Sequence, residues 1–172
     1  MSKRVLLLTN SVLTREVLVG PLGEHGYEVL LAEDPWEAIG ACRGKGVDLL
    51  LVDLDWSEDG GWNGWELIRG ALGARPSLPV VLITGRLDLV GAARAAGVSA
   101  LAEKPVDVST LVEVAGGLVE EQLGPGGRSN VPRVRQFERI PADGEALRAA
   151  IEERCQRPFL ASQPYRHWGL NE

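Results

Sequence analysis

Cysteine is scarce in this chain: Cys42 and Cys155 lie far apart, and neither belongs to a CxxC or a cysteine–histidine cluster. That excludes a disulfide framework and a zinc-finger type of site, and it predicts two free thiols in a reducing compartment. Long apolar runs are missing too. No stretch approaches the ~20 residues that span a bilayer. After Lys3-Arg4 the apolar run Val5–Leu8 is interrupted by Thr9, Asn10, Arg15 and Glu16 before a leader-peptide core can form. The expectation is a cytoplasmic protein with no membrane partner. Positive charge is in deficit, with 18 Lys+Arg against 24 Asp+Glu and a net charge of −6. A general nucleic-acid binder has a basic footprint, so direct DNA binding is not expected. The deficit is uneven: residues 1–124 carry 10 Lys+Arg against 18 acids, whereas residues 125–172 carry 8 arginines against 6 acids. An acidic body precedes an arginine-rich tail. Aromatics make up only 5% of residues, so a core must be built from aliphatic side chains.

What is present is an alternation of short apolar runs with helical patterns, the signature of βαβ units and a parallel sheet. Strands are predicted at 4–9, 27–32, 48–53, 79–84 and 99–103. The intervening helices are predicted at about 13–25, from Pro35 to near Gly44-Lys45-Gly46, at about 64–74, at 88–96, and from an Asp107 cap to about Leu123. In the first helix Val12, Val17, Leu18 and Leu22 are the expected buried stripe, Pro21 should kink or shorten it, and Gly26 should stop it. Asp34-Pro35-Trp36-Glu37 is a helix start, with an Asp cap and Pro at the first helical position. Residues 1–123 thus make a complete (βα)₅ domain. Residues 124–130, opening Gly124-Pro125-Gly126-Gly127, form a flexible linker. Residues 131–172 form an extension with one helix near 143–155, which is too little for a helix-turn-helix. Phe137, Ile140, Leu147, Ile151, Phe159 and Trp168 are its candidate anchors on the body or on a partner; a partly disordered tail is the alternative.

The chemistry gathers at strand ends. Asp53 closes the apolar run Asp48–Val52, Thr84 closes Pro79–Ile83, and Lys104-Pro105 closes Ala100–Glu103. In open α/β sheets such ends converge in one crevice. Asp, Thr and Lys-Pro at these three strand ends resemble the receiver domain of bacterial response regulators, the CheY-like superfamily, over residues 4–123. The resemblance implies a flavodoxin-like three-layer fold with strand order 2-1-3-4-5. It also implies a signalling module rather than an enzyme. Asp53 would accept a phosphoryl group from a phosphohistidine, Lys104 would bind a phosphoryl oxygen, Thr84 would donate to another, and Pro105 would hold a cis peptide bond.

The sequence departs from that family in three places. Receivers usually carry two acids at the end of the first strand, where this chain has Thr9 and Asn10. Each missing carboxylate removes attraction of order 4 kcal/mol per unit charge pair at ~4 Å and effective ε near 20, before desolvation. Mg²⁺ should therefore bind weakly, through Asp53, the Asn10 amide oxygen and the Asp55 carbonyl. The loop after Asp53 is about three residues longer than usual and holds Trp56, Trp62 and Trp65. These are candidates for a lid or a partner surface, with a core role for Trp65 as the alternative. The strand-five position that is often aromatic falls at Leu101, taken with Trp56 and Trp62 as a candidate partner-binding position. These departures resemble atypical or pseudo-receivers.

Three functions stay open on the sequence. One is an atypical phosphorelay receiver, phosphorylated by a histidine kinase or phosphotransfer protein, with output to a downstream protein through the fourth helix, fifth strand and fifth helix. The second is a phosphorylation-independent interaction module on the same fold. The third is a phosphatase resembling the haloacid dehalogenase superfamily, for which Asp53-Leu54-Asp55 would be the nucleophile motif. Homodimerisation is open in the first two.

Overall fold

The computed structural model describes residues 3–9, 11–44, 46–53, 64–122, 137–145 and 148. The strands are β1 (Lys3–Leu8), β2 (Tyr27–Ala32), β3 (Leu49–Asp53), β4 (Val80–Thr84), β5 (Ala100–Glu103) and β6 (Glu138–Ile140). The helices are α1 (Val12–Glu24), α2 (Pro35–Gly44), α3 (Gly64–Ala74), α4 (Val90–Ala95) and α5 (Val108–Gln122). One sheet of order β2-β1-β3-β4-β5-β6 runs through the molecule, with every pair parallel. The five-strand order expected from sequence is present, and the sixth strand is a correction to it. Part of the extension docks on the body, as its anchors Phe137 and Ile140 imply, and it does so by adding a strand to the sheet.

The apolar runs form central strands because both faces of the sheet are covered. Leu6, Leu8, Leu50, Val52, Val80 and Leu82 point to a core shared with α2, α3 and α4. Val5, Leu7, Leu49, Leu51, Val81 and Ile83 point to a second core shared with α1 and α5. Full burial of each such side chain contributes roughly 1.5–3 kcal/mol. With α1 and α5 on one face and the other helices on the opposite face, the chain reverses direction between β1 and β3. That reversal is the topological switch point where α/β sheets open a crevice at the strands' carboxyl ends.

Helix ends follow the sequence closely. The Asp34 side chain accepts from Trp36 N–H at 2.7 Å and Asp107 accepts from Thr110 N–H at 3.1 Å, each occupying an amide the first turn leaves without a partner. Gly26 takes φ +86°, the left-handed conformation that ends α1. Helix α1 corrects the predicted stripe: Leu18 and Leu22 are buried, but Val12 and Val17 are exposed and Thr14 is buried instead. Pro21 sits within α1, which continues to Glu24. Of the extension's predicted helix, Asp143 precedes the helical residues Gly144, Glu145 and Arg148; the remaining positions of 143–155 and the anchors Leu147, Ile151, Phe159 and Trp168 lie outside the described residues.

Asp48 shows how β3 is registered. It is fully buried, its Oδ2 accepts from Arg4 N–H at 2.9 Å, and its own N–H donates to Arg4 O at 2.8 Å. Asp48→Ala removes the acceptor of a partly buried main-chain donor, and a loss of about 1–3 kcal/mol is expected by urea denaturation.

Cys42 is a free thiol, 1% exposed against the α2–α4 core; Cys155 lies outside the described residues. Burial pushes the Cys42 thiol from its ordinary 9.0 up to about 11, with Arg75 nearby opposing part of the shift. Between those values the unfolded chain releases a proton that the folded chain keeps, so the stability difference falls as pH rises from 9 toward 11. Tyr27, raised by burial and by Glu120, acts in the same direction at alkaline pH. Native protein should alkylate at Cys42 only slowly at pH ~8, and Cys42→Ala should flatten the alkaline decline in melting temperature.

Candidate functional site

Asp53 is the last residue of β3, beside the first turn of α1 and one residue short of where β4 ends, since it pairs in register with Ile83. Its side chain is 1% exposed. Lys104, emerging from β5, donates from Nζ to Asp53 Oδ1 at 2.9 Å. Thr9, leaving β1, donates its hydroxyl to Asp53 Oδ2 at 2.9 Å, and Thr14 of α1 reaches the same oxygen at 3.4 Å. The carboxylate therefore has a cation on one oxygen and hydroxyls on the other. A buried carboxylate needs such donors, because an unpaired charge would be desolvated without compensation.

The local sequence arranges these donors. The Thr9 hydroxyl also accepts Ser11 N–H at 3.0 Å, which fixes its hydrogen toward Asp53. Ser11 then caps α1 by accepting Thr14 N–H at 3.2 Å. The chain makes two side-chain turns within six residues and delivers two hydroxyls to one carboxylate oxygen. Sequence reasoning took Thr9 as the place of a missing acid and passed over Thr14. The Ser11-x-x-Thr14 spacing after an apolar strand is the signal that locates both.

Thr84 ends β4 fully buried, and its hydroxyl accepts Arg86 N–H at 3.0 Å, shaping the turn that follows. Lys104 N–H donates to Thr84 O at 2.9 Å, so the ends of β4 and β5 are joined at the site. The Lys104–Pro105 peptide bond is cis. Asp53, Thr84, Lys104 and Pro105 thus come together as their strand positions imply. Asn10, Asp55, Trp56 and Trp62 lie outside the described residues. Trp65, at the start of α3, is half-buried against the α2–α4 core. Leu101 is a correction: it is 0% exposed within that core, so it offers no atoms to a docking protein. Its strand is covered on both faces and, through β6, along its edge.

A divalent cation would need lone pairs from Asp53 and from the end of β1. Thr9 spends its hydrogen on Asp53 and receives Ser11 N–H, and among the described residues no three His, Cys, Asp or Glu side chains converge. Magnesium favours oxygen ligands with one or two carboxylates in an octahedral shell. Of the expected ligands Asp53 stands at the site, and Asn10 and Asp55 lie outside the described residues.

Similarity to known proteins agrees with this geometry. Residues 5–115 match the family model of the response regulator receiver domain. The transcriptional regulatory protein AruR of Pseudomonas aeruginosa is 34% identical over 128 residues, covering 69% of this chain and 50% of that protein. The sensor histidine kinase AruS of the same organism is 33% identical over 118 residues, covering 65% of this chain and 12% of that one. The chain therefore spans half or less of these two curated relatives. A solved receiver domain protein (CheY-like) from Methanospirillum hungatei superposes with a TM-score of 0.63 at 27% identity, covering 71% of this chain and 97% of its own. Among the described residues no helix is long and apolar enough to cross a membrane. With its α/β sheet, its Asp53–Lys104 pair at the strand ends and a family match over most of its length, the chain belongs to the response regulator receiver domains of two-component signalling.

Proposed function

We propose that the protein is an atypical receiver in a phosphorelay, with Asp53 as phospho-acceptor and with output through protein–protein contact rather than catalysis. The observation that carries this reading is the Lys104 Nζ–Asp53 Oδ1 pair at 2.9 Å inside the strand-end crevice. An Asp53 oxygen attacks the phosphorus of a phosphohistidine, the P–N bond breaks, and the imidazole leaves as the acyl phosphate forms. Lys104 would hold a phosphoryl oxygen as negative charge accumulates, and Thr84, at the adjoining strand end, would give a hydroxyl to another. Val12 and Leu13 lie exposed on the same helix that sends Thr14 to Asp53. They supply an apolar rim on which a histidine kinase or phosphotransfer protein can seat.

The test is incubation with acetyl phosphate, or with beryllofluoride, at graded Mg²⁺. The expected result is one phosphoryl group by mass, or an NMR shift set centred on Asp53, and the loss of both in Asp53→Asn. The weak metal site predicts that adduct formation needs more Mg²⁺ than a receiver with two acids after its first strand. No adduct at high Mg²⁺ would favour the second reading, an interaction module independent of phosphorylation. Its support is the pair of hydroxyls on Asp53 Oδ2, which satisfies the carboxylate without any metal. A dehalogenase-like phosphatase needs Asp55, which lies outside the described residues, and enzyme-like turnover of a phosphomonoester is the outcome that would reinstate it.

A further inference from the structure

The Lys104–Pro105 dipeptide is held on both sides by the returning tail. Just before it, Arg139 Nε of β6 pairs with the carboxylate of Glu103. Just after it, Pro105 O accepts Asp143 N–H at 2.8 Å. Between these points β6 lies in register on β5, with Ala100 opposite Glu138, Leu101 opposite Arg139 and Ala102 opposite Ile140. Glu138 N–H extends the ladder to Ser99 O at 3.1 Å. The strand is anchored on both faces of the sheet. Ile140 is 1% exposed in the α1/α5 core. Phe137 packs on the opposite core beneath the Arg94 guanidinium, whose carbon stands 5.2 Å from the ring centroid.

We propose that the segment Phe137–Asp143 positions Lys104 for Asp53, and that docking of this segment and engagement of Lys104 at Asp53 are coupled. The physical basis is continuity. Glu103 is 9% exposed and paired in the sheet with Thr84; Lys104 is the next residue, and its own N–H is bound to Thr84 O. A segment that fixes Glu103 on one side and Pro105 on the other restricts the backbone from which the ammonium reaches Asp53. Coupling of this kind is reciprocal: whatever changes the partner of Lys104 changes the affinity of the segment for β5 by the same factor. The signalling consequence rests on Asp53 being the acceptor, in which case the segment responds to its modification. The coupling itself does not rest on that.

The experiment therefore runs first without phosphate, on the full chain. Amide hydrogen exchange is followed at Glu138 and Asp143, with the β1–β2 amides as reference, in wild type and in Lys104→Met. Loss of the ammonium should speed exchange at Glu138 and Asp143 by about fivefold or more, the lower end of typical coupling, over and above any change in the reference amides that follows from the global loss of stability. In the converse arm, Ile140→Asp undocks the segment and the acylation rate of Lys104 is compared with that of Lys3 by mass spectrometry. That ratio should rise several-fold. Arg139→Ala, a milder change at a half-exposed side chain, gives the same reading should Ile140→Asp fail to fold. Unchanged exchange in Lys104→Met, or an unchanged acylation ratio in a variant whose 138–140 amides have lost protection, overturns the proposal. Beryllofluoride then forms a separate arm: failure to bind removes the acceptor reading of Asp53, while the exchange and acylation results still decide the coupling.

Discussion

Lys104→Met lowers stability by about 2–3 kcal/mol in urea denaturation, whereas Asp53→Asn changes it by less than about 1 kcal/mol. The asymmetry comes from burial. The two side chains share one ion pair, but Asp53 is 1% exposed and Lys104 is 27% exposed. Removing the ammonium leaves a carboxylate that is 1% exposed without its cation, and breaking a buried pair in this way costs roughly 3–5 kcal/mol. The Thr9 and Thr14 hydroxyls remain, and the opening left by the shortened charge admits solvent, so the lower figure applies. Removing the carboxylate instead leaves a lysine on a flexible stem that can turn to solvent, while the amide oxygen introduced by Asp53→Asn still accepts from Thr9. The double variant Lys104→Met/Asp53→Asn should regain most of the loss. Equal effects of the two single changes would show that the pair is solvent-screened rather than buried.

The same residues mark how far the sequence discloses the molecule. The strand-end positions of Asp53 and Thr84 were legible because central parallel strands are apolar throughout, so the first polar residue after each run announces a carboxyl end; Lys104 follows Glu103 within a strand that is not wholly apolar and was legible through its pairing with Pro105 in the receiver-like pattern. Asp34 and Asp107 were legible because capping needs only a local hydrogen bond. Strand β6 was not, since its three residues, Glu138-Arg139-Ile140, carry no alternation long enough to stand out. What makes them a strand is an edge supplied by β5, whose paired residues lie 38 positions earlier in the sequence. Phe137 and Ile140 were correctly singled out as anchors, but composition cannot say that they bracket a backbone segment in the site. The burial of Thr14 in place of Val12 and Val17 has a similar origin. Periodicity weighs apolar residues alone, whereas this helix turns a hydroxyl inward because a buried carboxylate is waiting for it.

Thr9→Asp is expected to have the other large effect, and its sign depends on the metal. Thr9 is 1% exposed and within hydrogen-bonding distance of Asp53. A carboxylate there replaces a donor with a like charge, and two unit charges at ~4 Å repel by about 4 kcal/mol at an effective ε of 20. One ammonium, that of Lys104, offsets part of this, so the metal-free variant should be less stable than wild type by about 2–4 kcal/mol in chelator. Millimolar Mg²⁺ should restore it, because the two acids now provide the ligands that the natural hydroxyl does not. Stabilisation grows with the ratio of free ion to dissociation constant, reaching about 2.7 kcal/mol at one hundred times that constant. Wild type should show little of this dependence. The measurement is a pair of melting curves for each protein, in chelator and in Mg²⁺. A Thr9→Asp variant that is stable without metal and indifferent to it would mean that the space beside Asp53 is open to water. In that case the hydroxyl at residue 9 is a spectator instead of a group that helps this carboxylate stay buried.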